Sequence, residues 1–231
     1  MKTDIPSFFT ITTAEVHDSV EMDKIPYESG SLYIFDRAYM NTEMLNLINQ
    51  IGAFFVVREK HKTTYKVVED KSYNNTDTGV MADQIIGFTG NKTKKQYPGN
   101  LRRITFYDKD GNRTFVFYTN NFDLSAENIA LAYKYRWRVE LFLGWMKGHL
   151  HIKEFYGTTL NTVKIQIYCA IITYCLVAIA ERQMKLDMDI YKMLRILSIS
   201  LLEKEEIRDF LSITSRDESL QNDSQLRLKF F

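Results

Sequence analysis

Leu131-Ala-Tyr-Lys-Tyr-Arg-Trp-Arg-Val-Glu-Leu-Phe-Leu-Gly-Trp-Met-Lys147 carries four polar side chains, Tyr133, Arg136, Glu140 and Lys147, at successive offsets of three, four and seven. On one continuous helix, at about 100° per residue, these offsets keep all four within roughly 60° of one another. A lone acid then stands in a row with an arginine, a lysine and a phenol. The apolar neighbours Leu131, Val139, Leu141, Phe142 and Trp145 are expected to anchor this helix to a core. Spacing alone leaves a simpler reading open, in which Arg136 and Glu140 are an ordinary i,i+4 ion pair on a solvated face.

Working outward, the chain before this helix reads as strands. Leu32-Tyr-Ile-Phe-Asp36 is a short apolar run ending in an acid, as a buried strand of a mixed sheet would be. Met44, Leu45, Leu47, Ile48 and Ile51 follow at helical spacing, closed by Gly52. Phe54–Val57, Thr63–Val68, Gln84–Phe88, Leu101–Tyr107 and Thr114–Tyr118 all read as strands, separated by turn residues at Thr78-Gly79, Pro98-Gly99 and Asp108-Lys-Asp-Gly111. A further strand is expected over Ser7–Thr13 and a short helix over Ser19–Lys24. Beyond Asn120-Asn121 the pattern is helical, with Ser125 as N-cap and Glu127 in the first turn. More helix is expected between Asp187 and Leu211. The fold class is therefore α/β, in the order strand-acid-helix, β block, long helices.

Composition narrows the class of protein. The 231 residues are 45% hydrophobic and carry a formal net charge of +1, so any electropositive surface must arise by clustering. Lys92, Lys94, Lys95, Arg102 and Arg103 form one such cluster, expected in a hairpin loop, and Lys134, Arg138 and Lys153 form another near the acid-bearing helix. The longest apolar run, Ile165 to Ala180, is broken by Gln166 and Thr173. It is shorter than the roughly 20 residues a membrane span needs, so a buried core helix and no membrane are expected. Cys169 and Cys175 lie in that run, on different faces, and are expected to be reduced core thiols of a cytosolic protein. The first residues carry no apolar signal-peptide core.

Tyr133, Arg136, Glu140 and Lys147 also complete the pattern Y-x2-R-x3-E-x6-K. In this the chain resembles the YREK-signature group of bacterial insertion-sequence transposases (insertion-sequence family four), within the DDE superfamily. Asp36-Arg-Ala-Tyr39 resembles that group's strand-terminal D-R-G-Y element, Tyr118-Thr-Asn120 with Leu124–Ile129 its approach to the catalytic helix, and His149–Gly157 with Gln166 the stretch after it. The resemblance implies an RNase H-like core with a β-rich insertion between the second catalytic aspartate and the catalytic glutamate, followed by a helical C-terminal part. Residues 1–52 would be part of that core, 53–120 the insertion, and 121–231 the catalytic helix, the rest of the core and C-terminal helices.

The resemblance also implies chemistry. Asp36 and Glu140 would be catalytic and would bind Mg²⁺ or Mn²⁺, hard cations that take oxygen ligands. Tyr133, Arg136, Lys147, Arg58 and Arg37 would contact DNA, chiefly its phosphates. Partners would be double-stranded DNA, as transposon inverted-repeat ends and as target, with a homodimer in the full-length enzyme, in the bacterial cytoplasm at the nucleoid. Two departures stand out. The group's first catalytic aspartate and first core strand precede the position of Met1, and Asp4 has no apolar strand before it, so an N-terminally truncated, impaired fragment is expected. Gly144 stands where relatives commonly carry lysine. The alternatives are a non-catalytic DNA-binding fragment that modulates a full-length transposase, another RNase H-like nuclease such as a junction resolvase, and a decayed remnant.

Overall fold

The computed structural model describes residues 5–12, 18–60, 63–71, 78–149, 155–185 and 189–200. The chain divides into two compact units, Phe8–Leu141 and Met1–Ser7 with Phe142–Phe231. Asp4, Lys153 and the expected helix beyond Ser200 lie outside the described residues.

Six strands form the sheet of the first unit: β1 Leu32–Phe35, β2 Phe54–Arg58, β3 Tyr65–Lys71, β4 Val80–Phe88, β5 Asn100–Asp108 and β6 Arg113–Thr119. Their spatial order is β1-β2-β6-β5-β4-β3. Only β1 and β2 run parallel, and every other neighbouring pair is antiparallel. A parallel pair needs a crossover. Helix α1 (Thr42–Gln50) provides it, capped by the Asn41 side chain, which accepts from the Glu43 and Met44 amides. Gly52, at φ +79°, ends α1 in a left-handed turn that suits glycine, and the chain enters β2.

Alternation along the strands fills both faces of this sheet. Phe55 and Val57 point toward a core with Leu45 and Ile48 of α1, Leu101, Tyr118 and Tyr97, the last residing just after the short helix α2 (Asn91–Gln96). Val56, Ile104 and Phe117 point the other way, against Ile129, Ala130 and Tyr133 of helix α3 (Ala126–Lys134). Helix, sheet and helix are thus three layers, and the uninterrupted apolar run of β2 reflects burial on both sides. Asn120 ties the layers at one end. Its side chain accepts from Phe55 N at 2.9 Å and donates to Ala53 O and Asn49 Oδ1, each at 2.9 Å.

The second unit contains helix α5 (Leu160–Met184) and helix α6 (Ile190–Ser200), packed through Val177 and Met193 with Ala180, Met184, Leu194 and Leu197. Helix α4 (Trp137–His149) runs across the division between the units. Phe142 meets Tyr174 edge to face at 4.9 Å.

Three expectations fail. Residues 7–12 form no strand, because they find no ladder partner among the described strands. The apolar run Ile165–Ala180 sits in a helix of 25 residues, long and apolar enough by length and composition to cross a membrane, of which only 28% of the most apolar stretch is buried. It is not a buried core helix, since among the described residues α6 covers one side of it and Ile165, Ile172 and Leu176 are more than half exposed. Cys169 is accordingly exposed and Cys175 half-buried, both free thiols, rather than core residues.

Candidate active site

The acid that ends β1 is placed by sheet register. Phe35 pairs with Val57, so one step further along the two strands come Asp36 and Arg58. Asp36 caps the 3-10 turn Arg37–Tyr39, its Oδ1 accepting from Arg37 N at 2.7 Å, which fixes the carboxylate at the strand end. Arg37 is exposed beside it.

On the neighbouring layer, α3 delivers Tyr133. Its ring is buried against Phe115 and Phe117 of β6, with centroids 6.0 and 4.5 Å away. The phenol oxygen emerges 3.4 Å from Asp36 Oδ1. Burial, and then the negative charge of Asp36, push this phenol above its ordinary range, so it stays a proton donor.

The single continuous helix expected from spacing is not observed. Around Tyr135 and Arg136 the backbone bonds shorten to i→i−3, as in Arg136 N to Tyr133 O and Val139 N to Arg136 O, both at 3.0 Å. This tightened turn ends α3 and starts α4. Residues three apart eclipse in such a turn, and the Arg136 guanidinium accordingly sits 5.5 Å over the Tyr133 ring. The expected apolar anchors are mostly not buried. Leu131, Val139 and Leu141 are all more than half exposed, and only Phe142 packs as expected; the Trp145 side chain lies outside the described ones.

Arg136 is the hub of the site. Its Nη1 donates a short hydrogen bond to Glu140 Oε1 and lies 3.8 Å from Asp36 Oδ2. Burial works against the charged guanidinium, but Glu140, Tyr133 and Asp36 outweigh it and raise its affinity for the proton. Two atoms are left over: Arg136 Nε and Glu140 Oε2 are buried without a hydrogen-bond partner. The structure therefore brings Asp36, Tyr133, Arg136 and Glu140 together. Lys147 is exposed on α4, in the second unit.

Beside this group opens a cavity of about 360 Å³ whose lining includes Arg58, Arg113, Tyr133, Lys134, Arg136 and Trp137. Arg58 and Arg113 both lie over the Phe115 ring, at 4.9 and 4.8 Å. Lys134 is 3.5 Å from Asp108, the last residue of β5, and 3.8 Å from Asp110 in the turn that follows. Sequence reading missed Arg113, Phe115 and Trp137; the alternation Phe115-Val-Phe117 was the available signal that two rings share a face with Tyr133.

The cluster 92–103 does not form one basic surface. Lys92, Lys94 and Lys95 are exposed on α2, whereas Arg102 and Arg103 lie in β5. Arg102 is buried in a paired fork with Asp83, with donor distances of 2.8 and 2.7 Å. Arg103 pairs with Glu59 at 3.2 Å, and Glu59 also accepts from the Tyr118 hydroxyl. Unpaired charge inside a sheet is costly, so strand arginines find carboxylates rather than solvent.

Among the described residues no three His, Cys, Asp or Glu side chains converge. Asp36 and Glu140 nonetheless place carboxylate oxygens against one Arg136 nitrogen, and Glu140 Oε2 is buried without a hydrogen-bond partner. Carboxylate oxygens are the donors that a hard divalent cation takes, and two of them would form part of such a shell.

Residues 2–176 match the family of transposase DDE domains. A protein named as a transposase in Sinorhizobium fredii is 34% identical over 206 residues, covering 88% of this chain and 58% of that protein. One named as the transposase of an insertion sequence element in Geobacillus stearothermophilus is 32% identical over 177 residues, covering 74% of this chain and 45% of that protein. A Synechocystis protein, also named for an insertion sequence element, is 23% identical over 208 residues, 58% of its length. The chain thus spans about half the length of the curated relatives it matches. With a match over most of its length, the chain belongs to the family of transposase DDE domains.

Proposed function

We propose that this chain carries a metal-dependent phosphoryl-transfer centre for cutting and joining DNA in the transposition of an insertion sequence, with Asp36 and Glu140 as ligands of Mg²⁺ or Mn²⁺. The observation that supports this most is the meeting of the two carboxylates on one atom of Arg136, with Tyr133 on Asp36. A divalent ion bound there would activate the attacking oxygen and stabilise the leaving one. Arg136 and Arg58 would hold phosphates, Arg by its planar fork, and the Tyr133 hydroxyl would keep Asp36 oriented. Arg37, exposed beside Asp36, and Lys147, exposed on α4, would add backbone contacts. In this reading the chain belongs to the YREK group, β1, β2 and α1 are part of an RNase H-like core, and the strands between Asp36 and Glu140 are its insertion. DNA ends bearing inverted repeats, a homodimer of the full-length protein and a place at the nucleoid go with it.

The test is nicking of a supercoiled plasmid and of duplex transposon ends by the chain with Mn²⁺, compared with Glu140→Gln. Nicking that the substitution abolishes supports the reading; nicking that survives it counts against the assigned site. A second reading, a DNA-binding fragment that modulates a full-length transposase without cutting, is favoured by the convergence of only two carboxylates among the described residues. Salt-dependent duplex binding with no nicking, together with inhibition of a full-length relative, selects that reading.

A further inference from the structure

One arginine atom holds both candidate metal ligands. Arg136 Nη1 donates to Glu140 Oε1 and stands 3.8 Å from Asp36 Oδ2, in the place between two carboxylates where a divalent cation would sit. The arrangement leaves each partner incompletely satisfied. Arg136 Nε and Glu140 Oε2 are both buried and unpartnered, a state that costs free energy for a donor and an acceptor alike. A phosphate would complete the guanidinium, and a cation would complete the carboxylate. The cavity beside it, lined by Arg58, Arg113 and Lys134 as well as by Asp108 and Asp110, offers the guanidinium somewhere to turn.

We propose that Arg136 is an exchangeable counter-ion: it neutralises Asp36 and Glu140 in the metal-free protein and turns toward DNA phosphate when a divalent cation takes its place. This rests on the reading of Asp36 and Glu140 as metal ligands. The consequence is coupling. A guanidinium drawn onto phosphate no longer competes for the carboxylates, so DNA strengthens metal binding, and by thermodynamic reciprocity metal strengthens DNA binding. Loading of the two would then be ordered by one side chain, and Arg136 is a positioning residue before it is a phosphate contact.

The test is titration of the 231-residue chain with Mn²⁺ alone, followed by electron paramagnetic resonance, for the wild type, Arg136→Gln and Lys94→Gln. The expected result is Mn²⁺ binding on the order of tenfold tighter in Arg136→Gln, within the usual range of site coupling. Lys94→Gln, a loss of equal charge on exposed α2, is expected to change it by less than about twofold, because Lys94 holds neither carboxylate. Adding a short duplex should tighten Mn²⁺ in the wild type, and this tightening should shrink in Arg136→Gln. Circular dichroism checks folding; if Arg136→Gln unfolds, Arg136→Lys, which keeps charge but loses the fork, is expected to bind Mn²⁺ more tightly than the wild type. Equal or weaker Mn²⁺ binding on removing Arg136, or an equal gain in Lys94→Gln, overturns the proposal while leaving the metal reading intact. A chain that binds no Mn²⁺ in any variant overturns both.

Discussion

The Tyr133 hydroxyl lies 3.4 Å from Asp36 Oδ1 although the two residues are 97 positions apart. The contact joins the strand that ends in the acid to the helix on the opposite layer. It also sets the direction from which Arg136 and Glu140 arrive, since the tightened turn after Tyr133 places the guanidinium over its ring.

Tyr133→Phe keeps the ring between Phe115 and Phe117 and removes only the hydroxyl. The expected cost in stability is about 1 kcal/mol, a single hydrogen bond, whereas Tyr133→Ala should cost about 3–5 kcal/mol through the lost aromatic packing. Urea unfolding of the two variants checks this. Equal losses would mean that the hydroxyl, not the ring, holds the site.

Asp83 and Arg102 are each about 4% exposed at the side chain, and Arg102 also donates to the Asn121 and Leu124 carbonyls at the entry to α3. Asp83→Ala should cost about 3–5 kcal/mol, because it strands a buried charge. Lys94→Ala, on exposed α2, should cost less than about 0.5 kcal/mol. Thermal melts of the pair distinguish a structural arginine from a surface one.

Alkaline pH should unfold the protein. Burial pushes the Tyr97 phenol upward, and burial with the Glu59 contact pushes Tyr118 upward as well. The folded state therefore holds these protons more tightly than the unfolded chain, whose tyrosines titrate near about 10. This stabilisation is complete below that pH and is lost as pH rises beyond it. Tyr97→Phe should flatten the fall in stability between pH 9 and roughly 11, measured by urea titration at each pH. An unchanged slope would contradict the assigned burial.

Asn120 closes three bonds between α1, β2 and the end of β6. Asn120→Ala leaves Phe55 N and Ala53 O unpaired, with an expected cost of about 1–3 kcal/mol for each buried group left so. Faster amide exchange at Phe55 than at Ile104, in mid-sheet, is the accompanying readout.

Much of the first unit was legible because its signals are local. A continuous apolar run marked β2, β-branched and aromatic residues between turn signals marked β5 and β6, Gly52 closes α1, and Asp36 ends an apolar run. What was not legible depends on partners distant in sequence. The arginines of β5 read as a basic cluster until their carboxylates, Asp83 and Glu59, arrive from β4 and the end of β2. Helical periodicity could not reveal the tightened turn at Tyr135-Arg136, which contains no glycine or proline to announce it. Nor could hydrophobicity decide which side of α5 would be covered, since the whole run is apolar while α6 packs against only part of it.

Whether Asp36 and Glu140 share one divalent cation is decided by a double-mutant cycle on Mn²⁺ affinity. Asp36→Asn, Glu140→Gln and the double variant are titrated with Mn²⁺ beside the wild type. For a shared ion, either single substitution removes most of the binding and the second adds little, the non-additivity expected of two ligands on one ion. Losses that simply add, or Mn²⁺ binding that survives both substitutions, would contradict a shared site.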